Sequence, residues 1–167
     1  MERLSDPVKW GLVMKIVVDA DACPVQDIIE AVAQRCQLEV VLVSNIHHQL
    51  QSRYASIVMV DAASQAADLA IMNMVCSGDI VVTQDYGLAS MVIAKGSLAL
   101  DPSGRIYSND NIDELLMSRY LGQKARQAGK RTKGPRKRTK PDDDCFTRSL
   151  ERIILENNLW PHSREKG

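Results

Sequence analysis

Aromatic side chains are scarce in this sequence, at 4% of 167 residues. An aromatic platform for stacking bases, as RRM and OB-type binders use, is therefore not expected, and aliphatic side chains must fill the core. The four cysteines, Cys23, Cys36, Cys76 and Cys145, include no C-x-x-C pair, so their spacing does not suggest a structural zinc site. No apolar run approaches the ~18 residues of a membrane-spanning helix. No signal peptide is visible, and the expected location is the reducing cytoplasm. What is present is the balance of an ordinary globular protein, 45% hydrophobic and 25% charged. The length suits one domain with a core of its own.

The formal net charge is zero, but the charges are unevenly placed. Lys124, Arg126, Lys130, Arg131, Lys133, Arg136, Lys137, Arg138 and Lys140 are nine cations with no acid among them. The rest of the chain keeps twelve basic residues against 21 acidic ones. An acidic body with one basic stretch fits a carboxylate-rich site beside an arm that attracts phosphates. The plainer alternative is a solvated, disordered segment. Gly122, Gly129, Gly134, Pro135 and Pro141 punctuate it, so residues 122–141 read as a basic flexible segment. Without aromatics, its contacts with nucleic acid would be electrostatic and strongly salt-dependent.

Residues 1–13 lack a clear pattern and read as an N-terminal extension. From Met14 the chain alternates strand and helix. Lys15 to Asp19 is a short β-branched run typical of a buried parallel strand. Pro24 suits a first helical turn, and Val25, Ile28, Ile29, Val32 and Ala33 recur at helical spacing to about Arg35. Leu38 to Val43, Ile57 to Val60 and Asp79 to Thr83 are further strands. Ser64 is placed to cap a helix ended by Gly78, and Asp85 to Ala94 is another helix. Ser97 to Leu100 and Arg105 to Tyr107 flank a β-turn, and a helix follows from Asn109 or Asp110 to about Leu121. Phe146 to Leu155 is an amphipathic helix within a C-terminal portion, residues 142–167, expected to pack on the body. The expected fold is α/β, a mainly parallel sheet flanked by helices, with the domain proper at residues 14–121.

In such sheets, sites form beyond the carboxyl ends of the strands. Asp19 and Asp21 follow the first strand, Asp61 the third and Asp85 the fourth, while Asp68 lies early on the helix before it. Carboxylates crowded at one edge would take up protons unless a cation joined them, and Mg²⁺ or Mn²⁺ suits oxygen donors. Such an ion activates water and steadies charge on a phosphoryl oxygen. Each residue also has an ordinary reading. Asp19 and Asp85 could be caps, and Asp61 reads as a turn residue. Thr83 could bind phosphate or simply cap the next helix. Cys23 lies near a helix start but lacks a histidine partner, and His47 and His48 read as solvated loop residues.

Three stretches carry a resemblance: Ile16-Val-Val-Asp-Ala-Asp-Ala-Cys-Pro-Val25, Ala67-Asp-Leu-Ala70 and Val81-Val-Thr-Gln-Asp-Tyr-Gly-Leu-Ala89. With the late Gly-Lys-Arg-Thr-Lys-Gly-Pro segment and Phe146, they make residues 14 to about 155 resemble the YaiI/YqxD family of bacterial proteins, grouped with PIN-like nuclease folds. The resemblance implies a three-layer PIN-like domain. It puts the catalytic acids at Asp19, Asp68 and Asp85, with Asp21 as a further metal ligand. Many such nucleases carry one more acid just after the position of Asp85. Here Gly87, Leu88 and Ala89 stand there and no acid follows until Asp101, which counts against a full two-metal site.

The expected function is therefore a Mg²⁺- or Mn²⁺-dependent nuclease acting on RNA, its backbone held by Thr83 and the basic run. Two alternatives stay open. A haloacid-dehalogenase-like phosphatase would use Asp19 as nucleophile, with Thr83 and Lys95 holding phosphate. A non-catalytic module of PIN-like fold would bind RNA without turnover. No membrane partner is expected, and a homo-oligomer is left open.

Overall fold

The computed structural model describes residues 14–164 apart from residues 22, 64, 132 and 135, with side chains as far as residue 157. Six strands form one sheet: β1 (Lys15–Asp19), β2 (Glu39–Asn45), β3 (Ser56–Val60), β4 (Ile80–Val82), β5 (Leu98–Leu100) and β6 (Ile106–Tyr107). Their order is β3-β2-β1-β4-β5-β6. Every pairing is parallel except that of β5 with β6. The expected mainly parallel α/β sheet is borne out, as a three-layer PIN-like fold.

Strand alternation makes the layers. Ile16 and Val18 point into one core, and Val17 between them points into the other. The first core is closed by α1 (Gln26–Cys36) and α5 (Lys140–Arg164). The second is closed by α2 (Ala66–Met74), α3 (Tyr86–Ala94) and α4 (Asn109–Gln127). Both faces of β1 and β4 are therefore covered, which is why their sequences are continuous apolar runs. Among the described residues, no helix is long and apolar enough to cross a membrane.

The helix ends follow local chemistry. In α1, Ile29, Val32 and Ala33 bury one stripe, and Gln37 ends it in the left-handed region at φ 58. The cap expected at Ser64 lies outside the described residues. Asp85 caps α3 by accepting from the backbone N–H groups of Gly87 and Leu88. Ser108, rather than Asn109 or Asp110, caps α4, in a capping box with Asn111.

Two helices run further than the sequence pattern indicated. Helix α4 continues through Gly122 to Gln127, because Lys124 and Arg126 sit favourably at its negative end and the chain breaks only at Gly129, φ 79. Helix α5 begins at Lys140, with Pro141 in the first turn, where a missing N–H costs nothing. The Thr139 N–H and hydroxyl both donate to Asp142 there, at 2.8 and 3.0 Å. The first six residues of the segment assigned to 122–141 are thus helical.

Helix α5 docks through Phe146, Leu150, Ile153 and Ile154, all buried against the sheet and α1. The turn before β6 fits closely under it. Gly104 has φ 95, and a Cβ there would lie 3.0 Å from the Cys145 backbone. The Ser149 hydroxyl donates to the Gly104 carbonyl at 2.7 Å.

Among the described residues, Phe146 is the largest fully buried side chain. Phe146→Ala is expected to lower unfolding free energy by about 3–5 kcal/mol, read from urea denaturation. A loss below ~1 kcal/mol would mean that α5 is not part of the core.

Candidate metal and phosphate site

Strand β1 lies between β2 and β4, so the chain leaves β1 toward one side of the sheet and leaves β4 toward the other. The crevice at such a switch point opens at the carboxyl ends of the two strands. Asp19 is the last residue of β1, and Thr83, Gln84 and Asp85 follow β4 directly. They meet as the sequence suggested. The Thr83 hydroxyl donates to Asp19 Oδ2 at 3.0 Å and accepts from the Asp85 N–H at 3.0 Å. Thr83 thus orients an acid and fixes the entry to α3 at once.

Burial pushes the Asp19 carboxyl up to about 6. The Thr83 hydrogen bond opposes that shift, and the charges of Asp68, Asp21 and Asp85 reinforce it. Asp68 is also raised, by burial first and then by Asp85. Asp19 therefore feels the other three acids expected at this edge, and Asp68 feels Asp85.

They are not equally placed. Asp19 and Asp85 line one open cleft of about 490 Å³. Asp68 lines a smaller neighbouring groove with Gln65, Leu69, Met72 and Met91. Asp21 is held from the other side, accepting from the Ser44 hydroxyl at 2.8 Å and from Asn45 Nδ2 at 3.3 Å, with His48 Nε2 at 3.7 Å. Asp85 Oδ1 caps α3, and the same carboxylate borders the cleft. Asp61 is exposed at the far strand and lines neither space. Asp101, the next acid after Asp85, is occupied in its turn by the Ser103 N–H at 2.7 Å and the Tyr107 hydroxyl at 2.9 Å.

Facing the two aspartates across the cleft is a wall of α4: Ser118, Arg119, Gly122 and Arg126. Arg119 Nη1 stands 3.7 Å from Asp85 Oδ1. The sequence reading named Arg126 but missed Arg119, because it ended the helix at Leu121. Carried through to residue 126, the periodicity puts 119, 122 and 126 on one stripe.

The other cations divide by role. Arg136 makes two hydrogen bonds to Asp142, at 2.9 and 2.6 Å, and holds that carboxyl well below the usual range. Arg138 Nε donates to Asp143 at 2.6 Å. Both arginines pin the start of α5. Lys124 Nζ lies 5.6 Å over the Tyr120 ring. Lys130, Arg131, Lys133, Lys137 and Lys140 are exposed.

Two further sequence readings find their place. Lys95, expected to hold phosphate in the phosphatase alternative, caps the distant end of α3, its Nζ donating to the Met72 carbonyl at 2.6 Å. It lies away from the cleft, and that arrangement is not formed. Cys23 is a free thiol, and burial raises its pKa.

Oxygen donors alone, two carboxylates and a hydroxyl, suit a hard cation. Among the described residues, no three His, Cys, Asp or Glu side chains form a ready-made metal cage. The donor set matches the Mg²⁺ habit of keeping several waters and taking one or two carboxylates.

Sequence comparison identifies relatives of the chain. The family described as "Uncharacterized BCR, YaiI/YqxD family" matches residues 17–156. The chain is 47% identical to a UPF0178 protein of Clostridium acetobutylicum over 148 residues, covering 87% of this chain and all of that one. It is 48% identical over 148 residues to a UPF0178 protein of Ruminiclostridium cellulolyticum, covering 89% and 97%. A UPF0178 protein of Alkaliphilus oremlandii is 49% identical over 147 residues, covering 87% and 94%. No solved structure matches significantly. The chain belongs to the YaiI/YqxD family.

Proposed function

We propose that this protein is a Mg²⁺- or Mn²⁺-dependent nuclease acting on RNA, with its centre in the cleft between the β1 and β4 ends and α4. One observation carries the reading. Asp19 and Asp85 form one wall of an open cleft and arginines form the other. Carboxylates can hold a cation, and cations opposite them can hold phosphate. When bound, the metal supplies acidified water and charge stabilisation at a phosphoryl oxygen.

The chain's own residues prepare the rest. Asp19 and Asp85 would hold the ion, and Asp68 and Asp21 add negative potential nearby. Thr83 keeps Asp19 Oδ2 in place through its hydroxyl. The exposed lysines and arginine beyond α4 would draw the RNA backbone toward the cleft.

Binding without turnover is the second reading. It is favoured by the absence of three gathered metal-ligand side chains among the described residues. It predicts salt-sensitive RNA binding and no strand cleavage.

Hydrolysis of single-stranded RNA with Mg²⁺ or Mn²⁺ separates the two. The Asp19→Asn, Asp85→Asn double variant is expected to lose activity by about 100-fold or more, while remaining folded by circular dichroism. Undiminished cleavage by that variant would defeat the nuclease assignment.

The Asp19 carboxyl gives a second check. Its folded value of about 6 lies above the ordinary one. Between roughly pH 4 and the folded value, the native state binds more protons than the unfolded state, so this group's contribution to stability falls as pH rises. Without divalent ions, Asp19→Asn is therefore expected to gain thermal stability over wild type at pH 7.5 and little at pH 4. Affinity for Mn²⁺, measured by calorimetry, should fall as pH drops through about 6, because the ligand must be deprotonated. A flat profile from pH 5 to 8 would remove Asp19 from the ion site.

A further inference from the structure

We infer that one stripe of α4, Arg119, Gly122 and Arg126, is a built subsite for the phosphates of an RNA strand, and that the glycine is its opening. The inference deepens the proposed function and rests on it for the choice of RNA as ligand. Neither Arg119 nor Gly122 is among the site residues expected from the sequence.

The spacing is i, i+3 and i+7, so the three residues share a face over about 10 Å of helix. That face is turned to Asp19 and Asp85. A glycine inside a helix of 19 residues costs about 1 kcal/mol relative to alanine. Here it faces a cleft rather than a turn. A Cβ on Gly122 would stand on the cleft face in ordinary contact with Arg126 Nη1, at 3.4 Å, so its absence leaves that face bare for a strand to approach.

Arg119 is only lightly engaged. Its contact with Asp85 is 3.7 Å long, and both side chains are substantially exposed, at 52% and 38%. Exposed pairs of this kind contribute little, so the guanidinium leaves Asp85 at small cost. Arg126 makes no salt bridge among the described residues. Arg136 and Arg138, by contrast, are engaged by Asp142 and Asp143. The two arginines available at the carboxylates are thus those of α4. The cleft is open rather than enclosed, which suits a strand passing through it.

The test is fluorescence anisotropy of the full chain with a labelled single-stranded RNA in EDTA, across a salt series. EDTA isolates binding from cleavage. Arg119→Ala, Arg126→Ala together should weaken binding about 10-fold or more and lower the salt slope by about two. Gly122→Ala should keep or raise thermal stability and still weaken binding several-fold. A Lys133→Ala, Lys137→Ala, Lys140→Ala variant serves as the comparison and should weaken binding less. The inference is overturned if this lysine variant loses more affinity than the arginine variant, or if Gly122→Ala binds like wild type. Wild type that binds in this pattern but never cleaves with Mn²⁺ sinks the nuclease reading and leaves the subsite standing. Wild type that cleaves while the arginine variant binds unchanged sinks the subsite alone.

Discussion

Negative charge held partly out of water at the carboxyl end of a parallel sheet is the constraint around which this molecule is arranged. Asp19 ends the central strand, flanked by β2 and β4 and covered from both faces, so it cannot swing far into solvent. Among the described residues, Thr83 alone gives it a side-chain hydrogen bond, while three other carboxylates lie within electrostatic reach. Burial and like charge act in the same direction, and both are relieved by a cation. The opposite end of the sheet shows the alternative solution. Asp79, almost fully buried, accepts from the Lys15 N–H at 3.1 Å, from Lys15 Nζ at 2.6 Å and from the Cys76 N–H at 2.8 Å. One buried acid is saturated with donors and serves the fold. The other is left short of them at the edge where ligands enter.

Helix α4 answers that shortage from across the cleft. It meets the site at Ser118 and Arg119, and because it persists past Gly122 it brings Arg126 to the same cleft. The helix is seated on the second core through Ile112 and leaves its remaining surface mostly open. Its position is therefore fixed at the start and permissive toward the end, a suitable condition for a wall that meets an extended ligand. The turn beneath α5 has the opposite character, since Gly104 is pressed against Cys145 and leaves no freedom.

The strands and the switch-point acids were legible because a parallel sheet writes itself as short β-branched runs, and an Asp directly after such a run has few places to go. Lys15 to Asp19 was read with its observed limits. Asp19, Thr83 and Asp85 fell together for the same reason. What escaped was information carried between distant elements. Nothing local says that Asp68 turns to a separate groove or that Ser44 and Asn45 claim Asp21. Gly122 reads as the first of the glycines and prolines that punctuate a flexible segment, because glycine usually disfavours helix, whereas here the helix tolerates it. Once the helix was cut short, Arg119 could not be placed on the stripe with Arg126.

The basic run shows why a count of charges is a poor guide to a surface. Nine cations without an acid among them read as one arm for phosphate. The fold divides them, because Asp142 and Asp143 follow immediately and draw Arg136 and Arg138 back to the start of α5. Those bonds anchor the helix that carries Phe146 into the first core, so part of the positive charge is structural. Arg126 goes to the cleft, and the exposed lysines and Arg131 remain in the field between the two helices. Long-range attraction depends on the sum of such charges, but contact with a phosphate depends on the few that face the acids and are at most lightly engaged. On the proposed reading, the positions that would decide recognition lie on the ordered helix before Gly129, where a side chain is aimed before the ligand arrives.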